Sequence, residues 1–197
     1  MNRHLVIIAG SQREGSQSSK VAEYLYRRID ELELFDSAEV IDLARQRLPL
    51  WPQEDTQSIW NSLQSSLRKA TALIVICPEW NGMACPALKN FFVYAGIEEL
   101  GHKPALLVGV SAGLGGAYPI SELRASSYKN CRIVYLPEHL IIRNVESVME
   151  GDTPIGEEDK RMRKRVDWVL RMLGQYEAAF CSIRIAVTQV PGFSSGM

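Results

Sequence analysis

The sequence predicts a single-domain α/β protein in which a five-stranded parallel sheet lies between two layers of helices. Short apolar runs alternate along the chain with segments of helical periodicity, and most of these runs lack polar alternation. Such runs are typical of strands that are covered on both faces, and a helix between two parallel strands forms a right-handed crossover. The chain has 197 residues, of which 46% are hydrophobic, so it is long enough for one well-formed core.

The predicted elements alternate strictly from the N-terminus onward. The strands are expected at residues 4–9, 38–43, 72–77, 105–110 and 132–136. The helices are expected at residues 17–32, 58–69, 86–97, 119–129 and 157–179. The pattern alone does not give the strand order. The order 2-1-3-4-5 is the natural one for five strands, and it places a switch point between the first and third strands.

Capping residues support these boundaries. Three serines among residues 16–19 suit the N-cap of the first helix, Pro86 suits an early position in the third, and Gly101 follows the expected end of that helix. Residues 147–158 contain glycines, a proline and several acidic residues, which indicates an exposed loop.

The C-terminal segment has a pattern of its own. Residues 181–190 alternate like an amphipathic strand and are followed by Pro191 and Gly192. This segment could be an edge strand, an arm that docks on another subunit, or a frayed tail. The sequence therefore predicts a domain over residues 1–180 and a tail or arm over residues 181–197.

Composition excludes several classes of function. The chain has 22 basic and 23 acidic residues, so its charge favours neither nucleic acid nor an anionic membrane. Its four cysteines form no Cys-x-x-Cys pair, and its three histidines are scattered, so metal-ligand spacing is absent. No apolar run approaches the roughly 20 residues of a membrane span, and the first run is too short for a signal peptide. We expect a cytoplasmic protein, because unpaired cysteines fit a reducing compartment.

A hydroxyl-rich loop that contains Arg13 follows the first predicted strand and leads into a helix. Backbone N–H groups, hydroxyls and the positive end of the helix dipole meet at such a point and can hold a phosphate. The spacing matches neither Gly-x-x-x-x-Gly-Lys-Ser/Thr nor Gly-x-Gly-x-x-Gly, which leaves a site for a single terminal phosphate. Arg13 could instead form a surface ion pair with Glu14 or Glu23, and Ser19 is expected to have only a structural role.

Two further loops follow the third and fourth predicted strands. In residues 78–86, Asn81-Gly82 indicates a tight turn with positive φ, and prolines stiffen both ends. A rigid backbone suits the edge of a planar heterocycle, and Trp80 offers an apolar wall or stacking surface, although it could also simply pack in an ordinary turn. Residues 111–118 contain three glycines in four positions, which permits close approach of a ligand but is weak evidence alone.

These motifs together resemble those of the flavodoxin-like NADPH-dependent FMN reductase family, which includes quinone, azo-dye and chromate reductases. The first match is Gly10-Ser11-x-Arg13-x-x-Ser16. The second is Pro78-Glu79-Trp80-Asn81-Gly82, followed by Pro86-Ala87-Leu88-Lys89-Asn90. The third is Gly113-x-Gly115-Gly116, with Leu123-Arg124 after it. The resemblance covers approximately residues 3–175, and in this chain Trp80, Ser18 and Tyr118 replace the usual tyrosine, asparagine and arginine of the family.

The resemblance implies a flavodoxin-like fold that binds FMN noncovalently. The residues that it implies for the phosphate are Ser11, Arg13, Ser16, Gln17 and Ser18. The residues that it implies for the isoalloxazine ring are Pro78, Glu79, Trp80, Asn81, Gly82, Ser111, Gly113 and Gly116. It also implies a homodimer or a homotetramer.

The expected activity is electron transfer from NADPH or NADH through FMN to a small-molecule acceptor such as flavin, a quinone, an azo compound or a metal oxyanion. Because the flavin carries the chemistry, we expect no protein nucleophile, general base or metal. Glu79 is expected to point to solvent or to cap the turn that follows it, and Cys77 and Cys85 are expected to be packed thiols.

Two alternatives stay open at this stage. One is an FMN-binding electron-transfer or sensing module that does not turn over a pyridine nucleotide. The other is a flavin-free site for a nucleotide or another phosphorylated ligand. The near-neutral charge and Arg13 favour the enzyme over the electron carrier, because flavodoxin-type carriers are usually acidic and have a Thr/Ser-rich phosphate loop.

Overall fold

A computed structural model gives the fold, and the structure describes residues 2–54 and 58–188. The elements are β1 (His4–Ala9), α1 (Gln17–Glu31), β2 (Ser37–Asp42), α2 (Ile59–Lys69), β3 (Ala72–Trp80), β4 (Met83–Ala84), α3 (Pro86–Tyr94), α4 (Ile97–Leu100), β5 (Pro104–Val110), α5 (Ala117–Ser126), β6 (Val134–Ile142) and α6 (Gly156–Thr188). A short 3₁₀ helix covers Val145–Ser147.

The five long strands form one parallel sheet in the order β2-β1-β3-β5-β6. This is the predicted order 2-1-3-4-5, which is therefore confirmed. The two-residue strand β4 was not predicted, and it pairs with the end of β3 in the antiparallel sense. Because β3 lies between β1 and β5, the loops that follow these three strands open side by side at the carboxyl edge of the sheet.

Helices cover both faces of the sheet, and each face has its own core. Along β1, Leu5 and Ile7 pack with residues of α1 and α6, whereas Val6 and Ile8 pack with residues of α2, α3 and α5. Successive side chains of a strand point to opposite faces, so an uninterrupted apolar run fills both cores. The three-layer architecture follows directly from this feature of the sequence.

The third predicted helix is divided into two. It ends at Tyr94, because Ala95 is extended with ψ 122°, and a new turn, α4, begins after Gly96. The backbone N–H of Gly96 donates to Glu99 Oε2 at 2.9 Å, so a side chain of the new turn holds its start. Gly101 ends α4, as its position in the sequence predicts.

The last strand, β6, is longer than predicted, because the chain continues through a proline. The register against β5 shifts between Ala105 and Leu107, and Pro137 lies in the bulged part of β6. The Arg124 guanidinium donates to the Pro137 carbonyl at 3.1 Å and to the preceding carbonyl at 2.5 Å. Edge strands tolerate proline at a bulge, and here an arginine binds the carbonyls at that bulge.

Of the alternatives for residues 181–190, the edge strand is wrong for residues 181–188, which continue the 33-residue helix α6. The Arg184 guanidinium donates to the Thr71 carbonyl at 3.0 Å and to Glu177 at 3.4 Å, which fastens this part of the helix to the domain. Residues 189–197 lie outside the described residues. The predicted division at residue 180 stays a prediction.

Within residues 2–54 and 58–188, none of the helices combines the length and the apolar character of a membrane span. In the same part of the chain, no three His, Cys, Asp or Glu side chains are grouped so that they could hold a metal ion.

Lys103 is a buried cation in this fold. Its Nζ donates to the carbonyl oxygens of Leu67 at 2.5 Å and Glu99 at 2.7 Å, which lie at the ends of α2 and α4. Burial, followed by the nearby positive charge of Arg184, lowers the pKa of Lys103 to about 8. A lysine in an unfolded chain keeps its proton up to a pKa of about 10.4.

We expect the free energy of unfolding to rise between about pH 8 and pH 10 because of Lys103. In that range the unfolded state binds more protons than the folded state, so stability increases with pH, by up to about 1.4 kcal/mol per pH unit. Urea unfolding of the wild type and of Lys103→Met at several pH values measures this contribution. Lys69→Met, at an exposed lysine of α2, is the matched control. A stability difference between the Lys103→Met and wild-type proteins that is constant with pH would contradict the expectation.

Candidate functional site

Three loops meet at the carboxyl edge of the sheet: the serine loop (residues 10–16), the hairpin (residues 78–85) and the glycine loop (residues 111–116). Cys85 Sγ donates to the Gly10 carbonyl at 2.8 Å, so the hairpin contacts the serine loop. The Gly116 N–H donates to Glu79 Oε2 at 2.6 Å, so the glycine loop contacts the hairpin. The three segments singled out in the sequence therefore form one site.

The serine loop begins in a place where only glycine fits. The Gly10 N–H donates to the Ile76 carbonyl of β3 at 2.9 Å. A Cβ atom at Gly10 would lie 2.5 Å from that same oxygen and 3.0 Å from the Leu88 side chain. The backbone of the loop therefore lies directly against β3 and α3. Ser11 follows as a buried residue, and its Oγ accepts from the Arg13 N–H at 3.2 Å.

Helix α1 starts immediately after this loop. Ser16 is its N-cap, and Ser16 Oγ accepts from the Ser19 N–H at 3.1 Å. Ser19 Oγ donates to Asp42 Oδ2 at 2.9 Å, which gives Ser19 a structural role; that it has no other role stays a prediction. The first N–H groups of a helix have no acceptor within the helix, so those of Gln17 and Ser18 are directed away from α1.

Two polar atoms in the first turn of α1 are buried and have no hydrogen-bond partner among the described residues. They are Ser18 Oγ and Gln17 Oε1. Most buried polar atoms in proteins are hydrogen-bonded, so an orphaned hydroxyl at a helix N-terminus indicates a missing partner. The Ser18 hydroxyl can donate to a phosphate oxygen, and the Gln17 amide oxygen can accept from a ligand hydroxyl.

Arg13 is an exposed side chain in the serine loop. Within the described part of the chain it forms no ion pair with Glu14, Glu23 or any other carboxylate, and Glu14 pairs instead with Arg47 at 2.7 Å. The alternative in which Arg13 pairs with Glu14 or Glu23 at the surface is therefore wrong. An unpaired guanidinium beside a helix N-terminus is suited to an anionic ligand.

The hairpin has the turn that its sequence predicts. Asn81 and Gly82 have φ values of 50° and 73°, and these positive angles at both central residues are those of a type I′ turn. Trp80 is half-buried and packs against the core that includes α3 and α5. The Ala84 N–H donates to Glu122 Oε2 of α5 at 2.7 Å. This bond, followed by Lys89, lowers the pKa of the Glu122 carboxyl.

The glycine loop is fastened to the end of β6. The Ser111 N–H donates to the Ile142 carbonyl at 2.9 Å, and the Asn144 N–H donates to the Gly113 carbonyl at 3.0 Å. Ser111 Oγ accepts from the Gly113 N–H at 3.2 Å within the loop. Gly116, with φ 98°, is the N-cap of α5 and allows the chain to enter that helix.

Glu79 differs from its expected role. It neither points to solvent nor caps the turn that follows it; its carboxylate instead accepts the N–H of Gly116, 37 residues further along the chain. A negative charge is stabilised at the N-terminus of a helix, which explains why the side chain turns toward α5.

A cavity of 420 Å³ adjoins the serine loop. Its lining residues are Gln12, Leu43, Arg47, Leu48, Leu50, Pro86, Ala87 and Asn90. A cavity of this volume with an apolar wall and a few polar groups is typical of small-molecule sites.

The sequence model of the NADPH-dependent FMN reductase family matches residues 3–147. The chain belongs to this family. Membership confirms the predicted recognition and the predicted class of activity: the protein is an oxidoreductase that uses FMN and a reduced pyridine nucleotide. The flavodoxin-like fold is confirmed as well.

Relatives and solved structures of the FMN reductase type agree. An NADPH azoreductase of Bacillus sp. (strain OY1-2) is 28% identical over 187 residues, which is 91% of this chain and 96% of that protein. An FMN-dependent NADPH-azoreductase of Staphylococcus saprophyticus is 28% identical over 126 residues, 60% of this chain and 66% of that protein. In fold, the chain is similar to the flavoenzyme NAD(P)H:(acceptor) oxidoreductase of Paracoccus denitrificans, with TM-score 0.69, 20% identity, and coverage of 91% of this chain and 99% of that one.

Two cysteines flank the hairpin of this FMN reductase family member: Cys77 directly precedes it, and Cys85 is its last residue. Cys77 and Cys85 are both fully buried, as expected for packed thiols. The neighbouring Cys85 raises the pKa of the Cys77 thiol, and burial raises it further. The Cys85 thiol also holds Gly10, which gives it a structural role in the serine loop.

Three polar residues of the site were missed by the sequence analysis. Gln12 Oε1 accepts from the Ala87 N–H of α3 at 3.1 Å. The Asp42 carboxylate accepts from the Ser19 hydroxyl of α1, and the Glu122 carboxylate accepts from the Ala84 N–H of the hairpin. The position of Asp42 could have been found from the sequence, because Asp42 ends β2 at the same edge of the sheet as the three loops. Gln12 and Glu122 could not, since their sequence neighbourhoods are those of ordinary surface residues.

Proposed function

We propose that this FMN reductase family member passes electrons from NADPH or NADH, through bound FMN, to a small-molecule acceptor. The proposal rests mainly on the Ser18 hydroxyl at the start of α1 and on Arg13 nearby: within the described residues, the first has no hydrogen-bond partner and the second forms no ion pair. Together with the free N–H groups of the first helical turn, they are the donors that a terminal phosphate requires.

In this proposal the serine loop and the start of α1 hold the phosphate of FMN. The residues that contribute are Ser11, Arg13, Ser16, Gln17 and Ser18. Arg13 supplies the positive charge, and Ser18 supplies a hydroxyl and a backbone donor. Ser16 acts through its position, because its hydroxyl already caps α1.

The hairpin and the glycine loop hold the isoalloxazine ring in this proposal. The residues that contribute are Pro78, Glu79, Trp80, Asn81, Gly82, Ser111, Gly113 and Gly116. Bound FMN supplies the hydride-accepting chemistry. The protein residues bind and orient the ring, and backbone N–H groups stabilise the charge that develops on it. We assign no residue as a nucleophile, a general base or a metal ligand.

The acceptor range follows from the relatives. Relatives named azoreductase support azo compounds as acceptors, and the family description, FMN reductase, supports flavin. Quinones and metal oxyanions are part of the proposal. The family's activity supports the enzyme over a module that only carries or senses electrons. The near-neutral charge of the chain supports the same choice.

We also propose a homodimer or a homotetramer, located in the cytoplasm. A groove of 970 Å³ runs between α3, α4 and the end of α5. Val93 and Tyr128 line it and are 57% and 48% exposed, whereas Phe91 is buried in the core. Exposed apolar area of this kind supports an interface. Within the described residues, the buried cysteines Cys77, Cys85 and Cys131 form no disulfide, which supports a reducing compartment.

The purified protein is expected to be yellow and to lose its colour when NADPH or NADH is added without oxygen. Adding an acceptor should restore the colour, and a panel of flavin, quinone, azo dye and chromate would rank the acceptors. The measurement is the visible absorbance spectrum in an anaerobic cuvette. A protein that binds FMN but is bleached by neither nucleotide would contradict the enzyme proposal. A protein that stays colourless with excess FMN would contradict flavin binding itself.

A further inference from the structure

Two carboxylates join the hairpin to α5, one from each element. Glu79 of the hairpin accepts the N–H of Gly116, the N-cap of α5, at 2.6 Å. Glu122 of α5 accepts the N–H of Ala84 in the hairpin at 2.7 Å, and Lys89 lies 3.1 Å from it. Hydrogen bonds to a charged group are about twice as strong as neutral ones, so the two elements are held at a fixed separation.

The Glu79 carboxylate is closely enclosed by the glycine loop. A Cβ atom at Gly115 would lie 2.5 Å from Glu79 Oε1 and 3.0 Å from its carboxyl carbon, so the missing side chain at this position makes room for the carboxylate. The Arg143 Nε donates to the Gly115 carbonyl at 3.1 Å, which gives the loop a second contact. The carboxylate therefore acts on the backbone of the glycine loop.

The contact between Glu79 and Gly116 also explains why the N-terminus of α1, and not that of α5, is available to a phosphate. The N-terminus of α5 attracts negative charge, and the Glu79 carboxylate already occupies it. At the N-terminus of α1 the corresponding side chain is the neutral Ser16, so its positive end remains available to an external anion.

We propose that Glu79 is a positioning residue whose carboxylate sets the separation between the hairpin and the glycine loop, and thereby the slot for the isoalloxazine ring. The inference rests on the proposed function, in which these two loops flank the ring. It assigns Glu79 no proton transfer and no direct bond to FMN. Its contribution is to hold Gly115 and Gly116 in place before the ring binds.

The test compares two ligands, FMN and riboflavin, which carries the ring but no phosphate. In Glu79→Ala, the affinities for both ligands are expected to fall together by about tenfold, which corresponds to about 1.4 kcal/mol. In Glu79→Gln, an amide oxygen can still accept the Gly116 N–H, so both affinities should stay within about threefold of wild type. Fluorescence quenching of each ligand by apoprotein measures these affinities without turnover.

Amide hydrogen exchange at Gly116, measured by NMR on the apoprotein, supplies a second readout. It should accelerate in Glu79→Ala and recover in Glu79→Gln, while amides of β1 stay protected. Glu146→Ala is the matched control, because Glu146 is an exposed glutamate on the 3₁₀ helix at the same edge of the sheet.

Three results would overturn the proposal: unchanged affinities in Glu79→Ala, a loss confined to FMN, or an equal loss in Glu79→Gln. The Gln variant and the exchange measurement keep the test decisive even where Glu79→Ala folds poorly. Failure of the wild-type protein to bind either ligand would instead count against the proposed function, so the two failures are distinguishable.

Discussion

Glu177→Ala is expected to lower the free energy of unfolding by about 3 kcal/mol, near the lower end of the range of about 3–5 kcal/mol for breaking a buried ion pair. Glu177 is only 3% exposed on α6. Its Oε2 lies 2.7 Å from Arg3 Nε, and its Oε1 lies 3.4 Å from an Arg184 nitrogen. The variant leaves two guanidinium groups without their carboxylate. Partial exposure of Arg3, at 38%, lets water compensate in part, which is why the lower end applies.

The same variant should leave flavin binding intact. Arg3 precedes β1, and Arg184 donates to Thr71 just before β3, so this cluster lies at the amino edge of the sheet, opposite the three loops. Urea unfolding measures the loss of stability, and FMN titration of the folded variant measures binding. Glu157→Ala is the control, because the Glu157 side chain is 89% exposed and should cost less than about 0.5 kcal/mol. A loss below about 1 kcal/mol for Glu177→Ala would contradict the expected role of the ion pair.

The central sheet could be predicted from the sequence because each of its inner strands is encoded by a run of neighbouring residues. Each apolar run of β1, β3 and β5 contributes side chains to both cores, so the uninterrupted run itself identifies the strand. The edge strand β6 was predicted too short, because a proline such as Pro137 usually indicates the end of a strand. In the structure a bulge contains Pro137, and Arg124 binds its carbonyl. The alternation of Ile183, Ile185 and Val187 suggested a strand, whereas the anchoring of Arg184 to Thr71 keeps the segment helical, and no local pattern reports that contact.

The candidate site could be predicted only in part, and for the same reason. The serine loop, the Asn81-Gly82 turn and the glycine loop are encoded by neighbouring residues, so sequence reasoning found them. The bonds that assemble the loops join residues far apart, such as Glu79 to Gly116 and Cys85 to Gly10. Such contacts depend on the strand order, which the sequence suggested but did not determine.

Arg13→Ala is expected to weaken FMN binding by about 10- to 100-fold, since hydrogen bonds to a charged group contribute about 1.5–3 kcal/mol. Riboflavin binding should be unchanged, because riboflavin lacks the phosphate that the guanidinium would bind. Arg13 forms no ion pair within the described residues, so its removal breaks none there and should leave stability unchanged. The measurement is the ratio of FMN to riboflavin affinity in the apoprotein, which isolates the contribution of the phosphate.

The charge and the geometry of Arg13 can be separated further. Arg13→Lys keeps the charge but loses the bidentate fork, so its FMN affinity should lie between those of the wild type and Arg13→Ala. Added salt should weaken FMN binding more in the wild type than in Arg13→Ala, because screening acts on the same ion pair. Arg171→Ala, at an exposed arginine of α6 away from the three loops, is the matched control and should change neither affinity. An equal loss of FMN and riboflavin affinity in Arg13→Ala would place the guanidinium beside the ring instead of the phosphate, and the two loop assignments would then have to be exchanged.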